Sequence, residues 1–267
     1  MLRVGVLGAA GRMGRAICAA VQAEPGLELV AAVDPAHTGE TVEGLVVHSG
    51  VGALAEAGAE VAVDFTVASA ALANASWCSA HGVHVVLGTT GLGEDGAAQL
   101  AQMFQGAHAK ANCIMAPNFA IGAVLMMRFA ELAAPWFETV EIIELHHDGK
   151  VDAPSGTAAL TAQRISAALS ARSTVSSAGP EPQGPAAPGP ESSARGFEAA
   201  PGVRIQSVRL RGLVAHQEVL LGSLGQILTI RHDSVDRASF MPGVLLAARR
   251  VPGLPGLTVG IEALLGL

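Results

Sequence analysis

Apolar residues in this chain follow two rhythms, and the switch between them divides it. Up to Asn118, short apolar runs that stop at glycine or polar residues alternate with stretches whose apolar residues recur every three or four positions. LRVGVL (2–7) predicts a strand, GAAGRMG a glycine turn, and AICAAVQAE a helix with Met13, Ile17, Cys18 and Val21 on one inward face. LELVAAVD predicts a second strand. AEVAVDFT (59–66) and HVVLGTT (84–90) predict two more around a helical ASAALANASWCSAHG, and NCIMAP (112–117) is expected to close the strand series. Strands buried on both faces and alternating with helices indicate a parallel, doubly wound sheet of Rossmann type.

After Asn118 the pattern changes. FAIGAVLMMRFAELAAPWF predicts one long helix, ETVEIIELHH a strand, and Ser155–Ala171 a helix started by Pro154-Ser155. Residues 173–200 are rich in Pro, Gly and Ser and are expected to form an excursion loop. RIQSVRLRG, HQEVLLGSL and QILTIRHDS follow as three strands separated by glycine turns, giving an α+β second half with a mixed or antiparallel sheet. FMPGVLLAARRV and LTVGIEALLG predict a helix and a short segment that return to the first half.

Composition narrows the function classes. With 267 residues, half of them hydrophobic and only 15% charged, the chain has ample material for buried cores. A net charge of −7, 3% aromatic residues and no tyrosine exclude a general nucleic-acid binder. The mean hydropathy of +0.43 prompts a search for membrane spans. The strongest candidate, 111–127, is broken by Asn112, Pro117, Asn118 and Gly122 and falls short of the roughly 20 residues a span needs. A strand at the very start leaves no room for a signal peptide, and Cys18, Cys78 and Cys113 form no CxxC pair, so a reduced, cytoplasmic setting is expected.

Candidate chemistry begins at Gly8, Gly11 and Gly14, which follow a strand and open a helix. A tight turn, close backbone approach and a helix N-terminus together suit a pyrophosphate. Asp34 ends the next strand 20 residues after Gly14, where a carboxylate accepts hydrogen bonds from a ribose diol. Asp34 favours NAD, Arg12 offsets the repulsion of a 2′-phosphate, and the coenzyme preference stays open. Gly88-Thr89-Thr90-Gly91, at the end of a later strand, is placed to meet the nicotinamide ribose.

The richest string is ELHHDGKVDAPSGTA (144–158). It brings His146, His147 and Lys150, one of two lysines in the chain, close to Asp152 and to Ser155-Gly156-Thr157 at a helix start. A His and a Lys together present positive charge to an anionic substrate and deliver a proton. Backbone donors and hydroxyls at 155–157 form a carboxylate cradle. Metal binding lacks an HExxH or a nearby cysteine, Schiff-base chemistry at Lys150 leaves the glycine loop without a purpose, and no nucleophile elbow surrounds Ser155. A solvated loop capped by Ser155 leaves the histidine pair unexplained. Among the later basic residues, which include Arg195, Arg209, Arg211 and Arg231, Arg237 stands out because it precedes the return to the first half.

RVGVLGAAGRMG, VAVDFT, VVLGTTG, APNFAIG, ELHHDGKVDAPSGTA, RLRGLVAHQEVLLG and RHDSVDRASFMPGV, in that order, resemble the 4-hydroxy-tetrahydrodipicolinate (dihydrodipicolinate) reductase family over essentially the whole chain. The resemblance implies a dinucleotide-binding domain at 1–118 completed by 239–267, and a substrate-binding and tetramerisation domain at 119–238. It implies reduction of a cyclic imine dicarboxylate with loss of water, by hydride from NADH or NADPH, in diaminopimelate and L-lysine biosynthesis. No metal is expected, and family members are homotetramers built through the second domain's sheet. Carried over, Gly8, Ala10, Gly11, Arg12, Met13, Gly14 and Asp34 line the adenine and diphosphate end of the cofactor. Gly88, Thr89, Thr90, Ala116, Asn118 and Phe119 line its nicotinamide end. His146 matches the proton donor and Lys150 its essential neighbour, while His147, Ser155, Gly156, Thr157 and Arg237 match the substrate-binding group. Many members carry a histidine where this chain has Gly149, and some carry a basic residue at Ala10. A homoserine- or semialdehyde-type dehydrogenase would share the glycine loop without HHxxKxDxPSGT, the latter needing an active cysteine. A dinucleotide sensor would bind NADH without turnover.

Overall fold

The computed structural model describes residues 1–89, 91–105, 110–175 and 195–267. The chain forms two compact units, Met1–Ile121 with Arg237–Leu267, and Gly122–Asp236. The first segment runs β1 (Leu2–Leu7), α1 (Arg12–Ala23), β2 (Leu27–Val33), β3 (Thr41–Val42), β4 (Leu45–His48), α2 (Ala53–Glu56), β5 (Val61–Asp64), α3 (Ala68–His81), β6 (His84–Leu87), α4 (Gly93–Gln105) and β7 (Cys113–Met115). It continues through α5 (Ile121–Ala133), β8 (Thr139–His146), α6 (Gly156–Val175), β9 (Phe197–Ala200), β10 (Val203–Arg209), β11 (Ala215–Ser223) and β12 (Gln226–Ser234). The last segment carries α7 (Met241–Arg250) and β13 (Leu257–Val259).

Among the described residues, the first unit holds an eight-stranded sheet in the order β13-β7-β6-β5-β1-β2-β4-β3. All its pairings are parallel except the β3–β4 hairpin. Its central strands are apolar throughout because both faces are covered: Val4, Val6, Val61, Val63, Val85 and Val86 are all buried. Asn112 ties the returning chain into this unit, its Nδ2 donating to the carbonyls of Val251 and Pro252 while its Oδ1 accepts from Gly256 N–H.

The second unit holds a five-stranded mixed sheet in the order β12-β11-β8-β10-β9. Strand β8 pairs parallel with β10 and antiparallel with β11. One face alternates inward along β8 as Val140, Ile142, Glu144 and His146. That face meets α6, whose Ala158, Thr161, Ala162 and Ile165 form a buried stripe at helical spacing.

Three expectations need correction. NCIMAP does not close the strand series, because β13 pairs beyond β7, Leu257 opposite Cys113. The long helix from Phe119 is shorter: Asn118 Oδ1 accepts from Ala120 N–H, α5 ends at Ala133, and Pro135 lies in a 3-10 turn, Ala134–Trp136. Residues 173–200 are not all loop, since α6 reaches Val175 and β9 pairs antiparallel with β10; residues 176–194 lie outside the described residues. The hairpin of β3 and β4, α2 and α4 escaped the periodicity. The strands are two and four residues long, and α4 opens in GLGEDG, where glycines dilute the apolar stripe.

Candidate active site

In the first unit, every cofactor candidate among the described residues lies in α1 or in a loop leaving the C-terminal end of a parallel strand, the edge where such sheets take their ligands. After β1 the chain turns through Gly8 at φ +74°. A Cβ on Gly14 would lie 2.0 Å from the Gly8 carbonyl oxygen and 2.7 Å from Ala9 Cα, so glycine alone lets α1 pack onto this loop. Gly11 caps α1 without a side-chain hydrogen bond, and no acidic residue occupies the first turn. Its leading N–H groups therefore present positive partial charge to an anion, with Arg12 exposed and Met13 half-buried beside them. Asp34 is buried at the end of β2; its Oδ2 accepts from Ala10 N–H at 3.3 Å and its Oδ1 from Ala36 N–H at 3.2 Å. The carboxylate thus braces the glycine loop and keeps lone pairs for ribose hydroxyls. A glycine turn packed tightly on the helix, an uncapped helix start and a carboxylate at the end of the second strand fit a dinucleotide.

At the other end, Gly88 N–H donates to Asp64 O, Ala116 N–H to Leu87 O, and Thr89 Oγ1 to Thr66 O. A Cβ on Gly88 would lie 2.1 Å from the Phe65 ring, which packs on buried Phe119 with centroids 5.5 Å apart. The space over Gly88 is taken by that ring, so Phe65, absent from the sequence expectations, shapes this end. Ala116 and Asn118 follow β7, and Thr90 lies outside the described residues.

In the second unit, the polar string folds as strand end, loop and helix start around one buried carboxylate. Glu144, fully buried, accepts from His146 Nδ1 at 2.5 Å, from Arg209 Nη1 and Nη2 at 2.9 and 2.8 Å, and from Ser155 N–H at 3.3 Å. Burial pushes the Glu144 carboxyl up, but hydrogen bonds from His146, Arg209 and Ser207 outweigh it and bring it down to about 2. Arg209 Nη2 also donates to the Asp152 carbonyl at 2.7 Å, pinning the loop. Sheet register explains the gathering: Ser207, Glu144 and Gln217 face one another across three strands, with Arg209 and His146 paired two residues on. A charged residue on the inward face of ETVEIIELHH was the available signal for Glu144, and the alternation of RIQSVRLRG the signal for Arg209.

Lys150 is not held by a histidine side chain. Its Nζ donates to both Asp152 carboxylate oxygens at 2.7 Å. Burial pushes the Asp152 carboxyl up, yet the Lys150 ammonium holds it below the usual carboxylate range. His147 is half-buried, and its carbonyl accepts from Lys150 N–H. Ser155 corrects the expected cradle: its N–H is taken by Glu144 and its Oγ accepts from Ala158 N–H as the cap of α6. Gly156, exposed and with open space where a side chain would stand, begins α6 beside Thr157, and this helix start is the candidate anion cradle. Arg237 opens the 3-10 turn Arg237–Phe240 in the first unit.

The three cysteines are buried. Burial pushes the Cys18 and Cys78 thiols up to about 12 and raises Cys113 as well, the opposite of what a thiolate nucleophile needs. Among the described residues, no group of three or more His, Cys, Asp or Glu side chains is arranged to hold a metal ion, and no helix is long and apolar enough to cross a membrane.

Comparison with known proteins agrees along the whole chain. The family described as "Dihydrodipicolinate reductase, N-terminus" matches residues 2–119, and "Dihydrodipicolinate reductase, C-terminus" matches residues 122–265. The 4-hydroxy-tetrahydrodipicolinate reductase of Cutibacterium acnes is 50% identical, with all of both chains covered. That of Nocardia farcinica is also 50% identical over all of this chain and 99% of its own. A dipicolinate-bound dihydrodipicolinate reductase from Paenisporosarcina sp. TG-14 superposes with a TM-score of 0.80 at 37% identity, covering 98% of this chain and 99% of its own. Matched from end to end by both halves of one family, with the family's HHxxK string folded around a buried carboxylate, this chain belongs to the dihydrodipicolinate reductase family.

Proposed function

We propose that this protein reduces 4-hydroxy-2,3,4,5-tetrahydrodipicolinate to 2,3,4,5-tetrahydrodipicolinate with loss of water, in diaminopimelate and L-lysine biosynthesis. The observation that carries this reading is the binding of His146 and Ser155 to buried Glu144, with the Lys150 loop pinned through Arg209 at the Asp152 carbonyl, in a chain whose relatives of that activity match it end to end. Bound NADH or NADPH supplies the hydride that reaches C4 of the substrate. Gly8, Ala10, Gly11, Arg12, Met13 and Gly14 hold the diphosphate end, and Asp34 takes the adenosine ribose. Gly88, Thr89, Thr90, Ala116, Asn118 and Phe119, with Phe65 as a wall, enclose the nicotinamide end.

Loss of the 4-hydroxyl as water leaves a conjugated imine, and hydride arrival at C4 leaves an enamine that needs a proton. His146 is the donor. A carboxylate as acidic as Glu144 is ionised and only accepts, so the ring carries its hydrogen on Nδ1 and the transferable proton resides on Nε2. Lys150 leaves Asp152 for a substrate carboxylate and places positive charge beside the reaction. Gly156 and Thr157 take a carboxylate through backbone N–H groups, with His147 and Arg237 completing substrate recognition. The enzyme acts in the cytoplasm as a homotetramer. The sheet face opposite α6 supports the assembly: Ile143 and Leu145 are only half-buried, and Ile227 on strand β12 is 77% exposed.

Substrate generated freshly from pyruvate and aspartate semialdehyde by a separate synthase tests the reading, with oxidation of NADH and NADPH followed in parallel. Absorbance loss that depends on both precursors is expected. Folded protein that binds NADH but oxidises neither coenzyme would move the assignment to a diverged dehydrogenase or a sensor. The ratio of the two specificity constants measures how far Asp34 governs coenzyme choice.

A further inference from the structure

Glu144 is the most enclosed charge among the described residues of the second unit, and it touches both parts of the site. One carboxylate oxygen, Oε2, accepts from His146 Nδ1; the other, Oε1, accepts from the N–H of Ser155 at the head of α6. Arg209 grips both oxygens and reaches on to the carbonyl of Asp152, in the loop that carries Lys150. A buried ion pair needs no histidine and no loop carbonyl to be satisfied, and replacing such a pair with apolar residues often costs nothing. Here the geometry joins donor, loop and cradle through one side chain.

We propose that Glu144 is the positioning residue of this enzyme: it accepts from Nδ1 of the His146 imidazole, so that the proton given to the product leaves from Nε2, and it sets that ring in register with the Lys150 loop and the start of α6. This rests on the reading of His146 as the proton donor. Arg209 already balances the Glu144 charge, so the carboxylate acts by orientation and tautomer choice more than by adding negative field at the ring. From the neighbouring strands, the Ser207 hydroxyl hydrogen-bonds Glu144 and Gln217 is its register partner on β11.

Glu144→Gln is the direct test, because its amide can donate to Nδ1 and reverse the tautomer. It leaves Arg209 without its anion, so Glu144→Gln/Arg209→Met, which removes both charges, is measured beside it. In whichever variant folds and binds NADH, kcat is expected to fall about 100-fold or more while KM stays within about threefold. Glu144→Asp, which keeps the carboxylate, should recover part of that loss. Nitrogen-15 spectra of the ring, assigned by difference from His146→Asn, should show Nδ1 protonated in the unaltered protein and a changed protonation pattern in both Gln variants. A folded variant with unaltered kcat and an unaltered ring spectrum would show Glu144 to be structural only. The spectra need no substrate, so they decide the positioning claim even if the unaltered protein fails to reduce the imine. If the unaltered protein is active and His146→Asn keeps its full rate, the donor assignment fails, and the inference with it.

Discussion

His146 and Lys150 lie four positions apart, and the fold restrains them differently. The histidine ring is tied to a buried carboxylate on its own strand, whereas the lysine is held by Asp152, whose side chain is 61% exposed. The first is preorganised; the second gives up an exposed ion pair, which is cheap to break. His146→Asn should therefore lower kcat by about 10² to 10⁴ with little change in KM, the range expected for loss of a general acid. Lys150→Met should raise KM as well as lower kcat if, as proposed, the ammonium takes up a substrate carboxylate. Steady-state kinetics on both variants separates the two patterns. Glu144 carries a prediction of its own. Its carboxyl is brought from an ordinary 4.5 to about 2 in the folded protein, so its contribution is complete above about pH 4.5 and is lost as pH falls towards 2. That contribution is on the order of 3 kcal/mol, and urea titrations between pH 5 and 2 should show a fall in stability that is flattened in Glu144→Gln/Arg209→Met.

At the scale of elements, the turn from β1 into α1 depends on Gly14, whose missing side chain admits the Gly8 carbonyl. In Gly14→Ala the new methyl meets backbone, which cannot rotate away, so either the loop or the helix must shift. Packing strain of this kind costs about 1–3 kcal/mol, and the displaced N–H groups lose their aim at a diphosphate. NADH titrated by fluorescence should bind at least about tenfold more weakly to Gly14→Ala, a loss of roughly 1.4 kcal/mol, with far-UV circular dichroism unchanged. Unchanged affinity would remove the diphosphate from this loop. The β1–α1–β2 unit was legible because its signals are local: an apolar run, three spaced glycines, an inward stripe and an acidic strand end. Strand β13 was not, since three residues at a sheet edge acquire meaning only when Leu257 meets Cys113, far away in the sequence.

For the whole molecule, the open face of the five-stranded sheet is the feature to test. Ile227, on the face away from α6, is 77% exposed on β12, an edge strand that a second copy can cover. Sedimentation should give four times the chain mass of 26.9 kDa. Ile227→Asp should give smaller species with the same circular dichroism, because a charge buried at an apolar contact has no partner there. A monomer in the unaltered protein would remove the tetramer from the reading.

The division of the chain, its Rossmann-type half and the string that holds His146, Lys150 and Ser155 were determined by sequence alone, because periodicity, glycine spacing and runs of scarce residue types are written into neighbouring positions. The partners that make this chemistry work were decided by tertiary structure. Glu144 reads as one more charge on a strand until β8, β10 and β11 are in register and set it against Arg209 and beside Gln217. Ser155 reads as an anion donor until that same carboxylate takes its N–H. Phe65 goes unread until its ring is found where a Gly88 side chain would stand. A hydrogen bond or a close approach depends on which atoms meet in space, and for these residues the partners lie from 11 to 73 positions away in the sequence.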